Sequence, residues 1–479
     1  MIRYLFILLL FPGALRASSQ PPNVVLILAD DLGWRDAGFM GSRYYETPAL
    51  DRLAASGMVF TDAYANAPNC APTRAALLTG LYAPRTGIYT VGSSKRGESR
   101  YRRLIPVKNT TVLDTLFVTL AEALHSNGYV CASIGKWHLG DPPRYGPRAQ
   151  GFDLNAGGWH AGHPRSYFSP YHNPYLPDGP PGEYLTDRLT DEAVRFIRNN
   201  RERPFFLYFP HYAVHTPLQA KDSLTQLFRG RPPDGGQHNA VYAAMIKSLD
   251  ESVGRLLTTL DELGLRQRTL VIFFSDNGGV WGITSNAPLR GAKGMLYEGG
   301  IREPLIISWP GHVPAGTVSH VPVIGLDLYP TLLKVTGTRR PRGVHLDGVD
   351  ISPLFLEGKP LRRRALYWHF PAYLERMRGM PQMWRTTPAT AIRYGDWKLI
   401  RFWETGRCEL YNLHDDPGEQ HDLADSLPRL RKRLERKMDR WLHRTHAPLP
   451  TQKNPDFDEK AYLQRLEQIE QINTRNHEK

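Results

Sequence analysis

The chain of 479 residues contains only three cysteines, Cys70, Cys131 and Cys408. At most one disulfide can form among them and one thiol must be left over, which excludes a fold held by a disulfide framework. Beyond the N-terminus there is no apolar window of about eighteen residues, so nothing downstream reads as a membrane-spanning helix. Internal repeats and long low-complexity segments are also missing. Basic residues are spread along the chain without a recognisable binding motif, which argues against a nucleic-acid partner.

What is present is a globular composition: 41% hydrophobic and 11% aromatic residues supply a real core. The length allows one large domain with a smaller appendage, or two or three ordinary domains. The formal charge of +13 suits acidic partners such as sulfated or uronic-acid glycans, and solubility alone explains it equally well. At the N-terminus, Arg3 precedes the apolar run Tyr4 to Pro12, and Ala14-Leu15-Arg16-Ala17 offers a small residue for cleavage. This reads as a signal peptide over residues 1–17, and hence as an exported protein, secreted or periplasmic; a short N-terminal anchor is the alternative.

Four apolar runs read as strands covered on both faces: Asn23 to Leu28, Pro204 to Phe209, Thr269 to Phe274 and Pro304 to Trp309. Between them, helical patterns run over Leu113 to Ser126, Asp187 to Arg198 and Tyr242 to Leu263. Alternation of strands and helices predicts an α/β fold with a largely parallel sheet and helices on both sides. Ligands in such folds bind beyond the carboxyl ends of the strands. From about Pro360 the texture changes. Ala391 to Ile400 alternates and turns at Gly395-Asp396, predicting a small antiparallel sheet, and a charged helix follows from Pro428 to about His443. The expected units are a catalytic domain over 21–360, a C-terminal subdomain over 361–450 and a polar, peripheral tail over 451–479 with a short helix near Leu463 to Ile472.

Acidic residues stand at two strand ends. Asp30-Asp31 follows the first run, and Asp276-Asn277 follows the Thr269 run. Adjacent carboxylates repel unless a positive charge sits between them. Three carboxylates and an amide oxygen suit a hard cation, and the lack of nearby thiolate or paired histidine ligands argues against zinc. Either pair alone could cap a turn or a helix. Cys70 precedes a helix beginning near Pro72, with Arg74 one turn on, a ready site for anionic chemistry. A lone cysteine in that position is otherwise a buried, inert one. Lys136 and His138, two residues apart, would share one face of an extended segment.

The stretch Cys70-Ala71-Pro72-Thr73-Arg74-Ala75-Ala76-Leu77-Leu78-Thr79-Gly80 closely resembles the signature of type I, formylglycine-dependent sulfatases of the alkaline phosphatase superfamily. The resemblance extends through Asp30-Asp31-Leu32-Gly33-Trp34, Gly135 to Gly140, His215-Thr216-Pro217-Leu218, Ser275-Asp276-Asn277-Gly278 and Lys293 to Gly300. These six blocks occur in the family's order over about residues 23 to 310, which makes the likeness specific where any one block would be weak. Leu410 to Leu413 and Asp415 to Glu419 are similar to its C-terminal subdomain. One departure is Thr73, where serine is commoner; the hydroxyl is kept.

The resemblance implies an α/β/α sandwich with a large, mainly parallel sheet and a small C-terminal antiparallel sheet. It implies that a maturation enzyme oxidises Cys70 to formylglycine, whose hydrate carries two hydroxyls on one carbon. One would attack sulfur, and the other would then expel sulfate, a release step that serine lacks. Asp30, Asp31, Asp276 and Asn277, with the modified Cys70, resemble the ligands of one calcium ion. Arg74, Lys136 and Lys293 would hold the anionic sulfate, and His138 would act on the formylglycine hydroxyls, as base in the release step. His215 and Lys293 would contact the leaving oxygen. His215 is the better general acid by its pKa near neutrality, and it is preferred over His211 for that position. The implied activity is hydrolysis of a sulfate ester on a small molecule or a glycan. A phosphonate or phosphodiester hydrolase and an unmatured binder of anionic glycans are the competing readings. Gly157 to His163, the aromatic stretch Tyr167 to Tyr175 and Met377 to Trp384 are candidates for the pocket mouth, and the aromatic stretch could equally be a satellite core.

Overall fold

The computed structural model describes residues 20–362 and 365–477, with side chains to residue 474. The expected signal peptide lies outside the described residues. Nine strands form the large sheet: β1 (Asn23–Ala29), β2 (Met58–Tyr64), β3 (Val130–Ile134), β4 (Leu154–Ala156), β5 (Phe205–Pro210), β6 (Thr269–Ser275), β7 (Arg302–Ser308), β8 (Thr317–Ser319) and β9 (Val323–Ile324). Their order is β4-β3-β5-β1-β6-β7-β2-β8, with β9 also on β2. β1 pairs in parallel with β5 and β6, whereas β7 runs antiparallel to both β6 and β2. The sheet is therefore mixed and mainly parallel.

β1, β5, β6 and β7 are buried along their whole length, as unbroken apolar runs require. One core lies on each face. Val25, Ile27, Leu207 and Phe273 meet the Leu185–Asn199 and Ala240–Glu262 helices on one side. Leu26, Leu28, Phe206 and Ile272 meet the Cys70–Thr79 and Leu328–Val335 helices on the other. The register brings Ala29 opposite Ser275, so Asp30-Asp31 and Asp276-Asn277 emerge side by side from neighbouring strand tips.

Beyond the large sheet stand a four-stranded antiparallel sheet of β10 (Ala365–Phe370), β13 (Ala389–Tyr394), β14 (Trp397–Phe402) and β15 (Cys408–Asn412), and a two-stranded ribbon of β11 (Leu374–Glu375) and β12 (Trp384–Thr386). The β13–β14 hairpin turns at Gly395-Asp396, as the sequence indicates. The small sheet is fastened to the large unit by a buried ionic cluster. Lys398 Nζ lies 2.8 Å from Glu298 Oε1 and 2.9 Å from Glu419 Oε1, and the Glu298 backbone N–H donates to Glu419 Oε2 at 2.7 Å. Tyr64 on β2 donates to Glu298 Oε2 at 2.6 Å. The segment that carries Lys293 is thus clamped between both sheets.

Two expectations are corrected here. The helix expected over Leu113 to Ser126 is confined to Leu120–His125. Asp114 accepts the Leu116 backbone N–H in a local turn, and Thr119 with Glu122 forms a reciprocal capping box that starts the helix late. The tail is not merely peripheral: Glu459–His477 is helical, and Ile469, 1% exposed, packs with Tyr373, Met383 and Trp384. All three cysteines are free and buried.

Candidate active site

The helix of the Cys-x-Pro-x-Arg stretch begins at Cys70 itself, two residues earlier than Pro72 suggests, after an extended Asn69. Asn69 donates its side-chain amide to Thr90 Oγ1 at 2.8 Å, and Thr73 Oγ1 donates to the Ala67 carbonyl at 3.1 Å. The departure from serine at position 73 thus keeps its hydrogen bond. These contacts hold the first helical turn against the strand tips. Cys70 Sγ comes to 3.6 Å from Asp30 Oδ1, 3.9 Å from Asp31 Oδ1 and 3.3 Å from Lys293 Nζ. Burial, against the pull of Lys136 and Lys293, raises the Cys70 thiol to about 12. Unmodified, it is a neutral and poor nucleophile.

Asp31 holds a left-handed backbone at φ 65, and its carboxylate is contacted from several sides. Lys293 Nζ donates to Oδ1 at 2.5 Å, Asn277 Nδ2 to Oδ1 at 2.8 Å, and His215 Nε2 lies 3.5 Å from Oδ2. Burial works against the charge, but Lys293, His215 and Lys136 outweigh it and hold the Asp31 carboxyl well below its ordinary range. Asp30 behaves oppositely. Burial and the neighbouring Asp276 push it up to about 7 even though Lys136 Nζ stands 2.5 Å from Oδ2.

Oxygen-rich as it is, this cradle fits a hard cation. Single ligand atoms of Asp30, Asp31, Cys70 and His215 lie within 4.8 Å of one another. Asn277 Oδ1 is buried with no hydrogen-bond partner, while its amide NH₂ is turned toward a carboxylate. An amide placed beside crowded carboxylates presents its oxygen once a cation is there to receive it. Asp276 is not one of that group: Oδ1 accepts the Asp31 backbone N–H at 3.3 Å, and Oδ2 accepts from Arg74.

Arg74 is tied to the cluster's carboxylates. Its Nε and Nη2 donate to Asp276 Oδ2 at 3.0 and 2.7 Å, its Nη1 donates to the Lys136 carbonyl at 2.9 Å, and the side chain has no exposure. It orients Asp276 and the Lys136 segment from a position as buried as that of Lys136 itself. Counted formally, Arg74, Lys136 and Lys293 balance Asp30, Asp31 and Asp276. A divalent cation would then leave the site positive and receptive to an anion.

His138 also joins the cluster, but not by strand alternation. Its backbone is left-handed at φ 63, its N–H donates to the Trp159 carbonyl at 2.9 Å, and its ring packs so tightly on Gly162 that a Cβ there would clash with it. Burial, then Lys136 and Arg74, keep His138 well below the usual imidazole range, and its Nδ1 has no partner. A neutral imidazole with a free nitrogen can accept a proton. His215 differs from the expectation of a donor titrating near neutrality. Burial lowers it to about 3 against the attraction of Asp31, and Nδ1 lies 2.8 Å from the Thr216 carbonyl, so it rests neutral with Nε2 toward Asp31. Lys293 rests charged, because Asp31 outweighs its burial. His211 is fully buried against Phe209, 3.4 Å from Ser252 Oγ, and is not among the grouped ligand atoms.

Of the candidate mouth segments, Gly157 to His163 reaches the site, with the His163 ring stacked 6.0 Å from His215. Tyr167 and Tyr171 are buried, and the Tyr167 hydroxyl donates to the Tyr212 and His215 carbonyls at 2.6 and 2.9 Å, so the first half of that stretch is a supporting core, while His172, Pro174 and Tyr175 are exposed. Met383 and Trp384 line a cavity of about 640 Å³ together with Tyr297 and Arg385. Asn69 and Thr90 support the site yet carry no signal that spacing alone reveals.

Comparison with known proteins bears on this geometry. The family described as Sulfatase matches residues 22–338, and that described as N-sulphoglucosamine sulphohydrolase, C-terminal, matches residues 292–445. A sulfatase of Formosa agariphila is 34% identical over 90% of this chain and 90% of its own. N-acetylgalactosamine-6-sulfatase of Rattus norvegicus is 38% identical over 74% of this chain and 70% of its own. The solved structure of Ps i-CgsB in complex with k-i-k-neocarrahexaose superposes with a TM-score of 0.74 at 32% identity, covering 94% of this chain and 98% of that one.

Proposed function

Because this chain belongs to the sulfatase family and is a sulfuric ester hydrolase, we propose that it removes sulfate from a sulfated carbohydrate, using formylglycine made from Cys70 and one calcium ion. The observation that carries the catalytic part is the convergence of Cys70 Sγ, two strand-tip carboxylates and Lys293 within hydrogen-bonding range, beside the unpartnered Asn277 oxygen. The carbohydrate class is supported by the relatives, one named for a sulfated amino sugar and one solved with an oligosaccharide. Export by the N-terminal segment and maturation by a formylglycine-generating enzyme belong to the same proposal.

Asp30, Asp31, Asp276 and Asn277 would hold the calcium, which supplies Lewis-acid stabilisation of charge on the sulfate oxygens. The hydrated aldehyde supplies a nucleophile with a built-in means of release. The chain's own groups do the rest. Lys136 and Lys293 place ammonium charge beside the reacting centre without reorganisation. In this reading neutral, buried His138, with its free Nδ1, takes a proton from the hydrate in the release step. Lys293 bears the resident proton on the leaving side, with neutral His215 beside it to orient the alcohol oxygen. Arg74 holds Asp276 and the Lys136 segment in register and so acts as a positioning residue.

The test is release of inorganic sulfate from a panel of sulfated sugars by protein with converted Cys70, beside an aryl phosphodiester. Turnover of at least one sugar sulfate well above the diester is expected. Preference for the diester, or no activity on any sugar, overturns the substrate reading.

A further inference from the structure

Two arginines beside the site make no ion pair within 4 Å among the described residues. Arg385, on β12, lies against Gly294, where an added Cβ would be 3.0 Å from its Cδ and 3.1 Å from its Nε. Gly294 follows Lys293, and its N–H donates to the Pro68 carbonyl at 2.7 Å, two residues before Cys70. Arg385 is therefore built onto the strap that brings Lys293 to the nucleophile. Among the described residues its buried Nε has no hydrogen-bond partner, and its Nη1 donates to the weak acceptor Met377 Sδ at 3.5 Å. Among the described residues it makes no ion pair within 4 Å.

Arg96 comes from the neighbouring loop. Its Nη2 donates to the Val91 carbonyl at 2.7 Å, next to the Thr90 that receives Asn69. Gly97, beside Arg96, sits on the ring of Trp384, beside Arg385, where a Cβ would meet the ring at 2.5 Å; its N–H donates to Glu375 Oε1 at 3.1 Å. Arg96 likewise makes no ion pair among the described residues. The two guanidiniums repel: after burial, Arg96 is the strongest influence lowering Arg385, and the carboxylates of Glu375 and then Asp31 offset it only in part. Half-buried like charges that no carboxylate pairs at contact distance are costly in the free protein, and an anion relieves what Glu375 and Asp31 leave uncompensated.

We infer that Arg96 and Arg385 form an anion subsite that takes a second acidic group of the substrate, a sulfate ester or a uronate carboxylate, close to the sulfate being removed. This deepens the sulfatase reading and rests on it. A doubly charged carbohydrate is thereby distinguished from a singly charged one.

The test compares kcat and KM of converted wild type, Arg96→Gln, Arg385→Gln and Arg385→Lys. The substrates are one disaccharide carrying a single sulfate, the same with a second sulfate, and the same with one sulfate and a uronate. Wild type should favour one doubly anionic substrate, and which one it favours identifies the source of the charge. Either glutamine variant should raise KM on that substrate about ten- to hundredfold, the value of a charge-assisted contact, with little change in kcat. The lysine variant should recover part of the loss, which a merely structural role would not produce. Equal wild-type kcat/KM on all three substrates, or glutamine variants that keep the preference while folded by circular dichroism, overturns the subsite. Turnover of 4-nitrophenyl sulfate by wild type is read separately: its presence with no charge preference sinks the subsite alone. Its absence together with inactivity on the sugars sinks the sulfatase reading as well.

Discussion

With its thiol raised to about 12, Cys70 has about one molecule in 10⁵ ionised at pH 7, against roughly one in thirty for an ordinary cysteine. Burial dominates, and the nearby lysines do not overcome it. An unconverted protein should therefore turn over slower than the converted one by orders of magnitude. Activity should scale linearly with the fraction of formylglycine, measured by mass spectrometry of the tryptic peptide containing Cys70. Cys70→Ser sharpens the point. A serine hydroxyl in the same place can take the sulfuryl group but has no second hydroxyl to expel it, so alcohol release should stop near one equivalent per chain. The assay is a rapid-quench count of released alcohol, with the mass of the sulfated serine peptide as confirmation. Full turnover by protein with an intact thiol would refute the reasoning, as would sustained turnover by the serine variant.

Arg74→Gln leaves Asp276 buried without its guanidinium partner, and loss of one partner of such a pair costs about 3–5 kcal/mol. Urea unfolding of the metal-free protein should show that loss, with Arg74→Lys intermediate because a single ammonium cannot reproduce both bonds. The Lys398 cluster should leave a pH signature of opposite signs. Burial, together with Glu298, pushes Glu419 up to about 7 in spite of Lys398, so the native state keeps a proton that the unfolded chain loses above about 4.5. Stability then falls as pH rises from 4.5 to 7, by at most about 1.4 kcal/mol per pH unit. Glu298, whose burial is outweighed by Lys398 and Arg302, is held down to about 2, so its contribution is present above 4.5 and lost as pH falls toward 2. Glu419→Gln should flatten the upper slope in urea titrations from pH 4.5 to 7 and leave the acid limb. An unchanged upper slope would contradict this.

The strands and their acidic tips were legible because fully buried strands are unbroken apolar runs, and the hydrogen-bond register of β1 with β6 carries Asp31 and Asn277 to one place. Direction was not legible. The Pro304 run looks the same whichever way it points, and β7 proves antiparallel to both neighbours. The Leu113 pattern misled because Leu113 is buried from an irregular segment, and the true start signal, Thr119 with Glu122, lies inside the expected helix. In the tail, Leu463 and Ile472 suggested the helix yet are exposed, while Ile469 makes the contact. His138 could not be placed by alternation, since its left-handed backbone depends on packing against Gly162. Arg96 and Arg385 carry no motif at all; their meaning lies in two like charges brought together by the fold with no ion pair within 4 Å among the described residues.

Titration of metal-free protein with calcium, followed by calorimetry and thermal unfolding, tests the shared cradle most directly. One ion per chain should bind and raise Tm, and Asn277→Ala should weaken binding by removing the unpartnered oxygen. A protein that takes up no divalent cation, or an alanine variant that binds as tightly as wild type, would contradict the account.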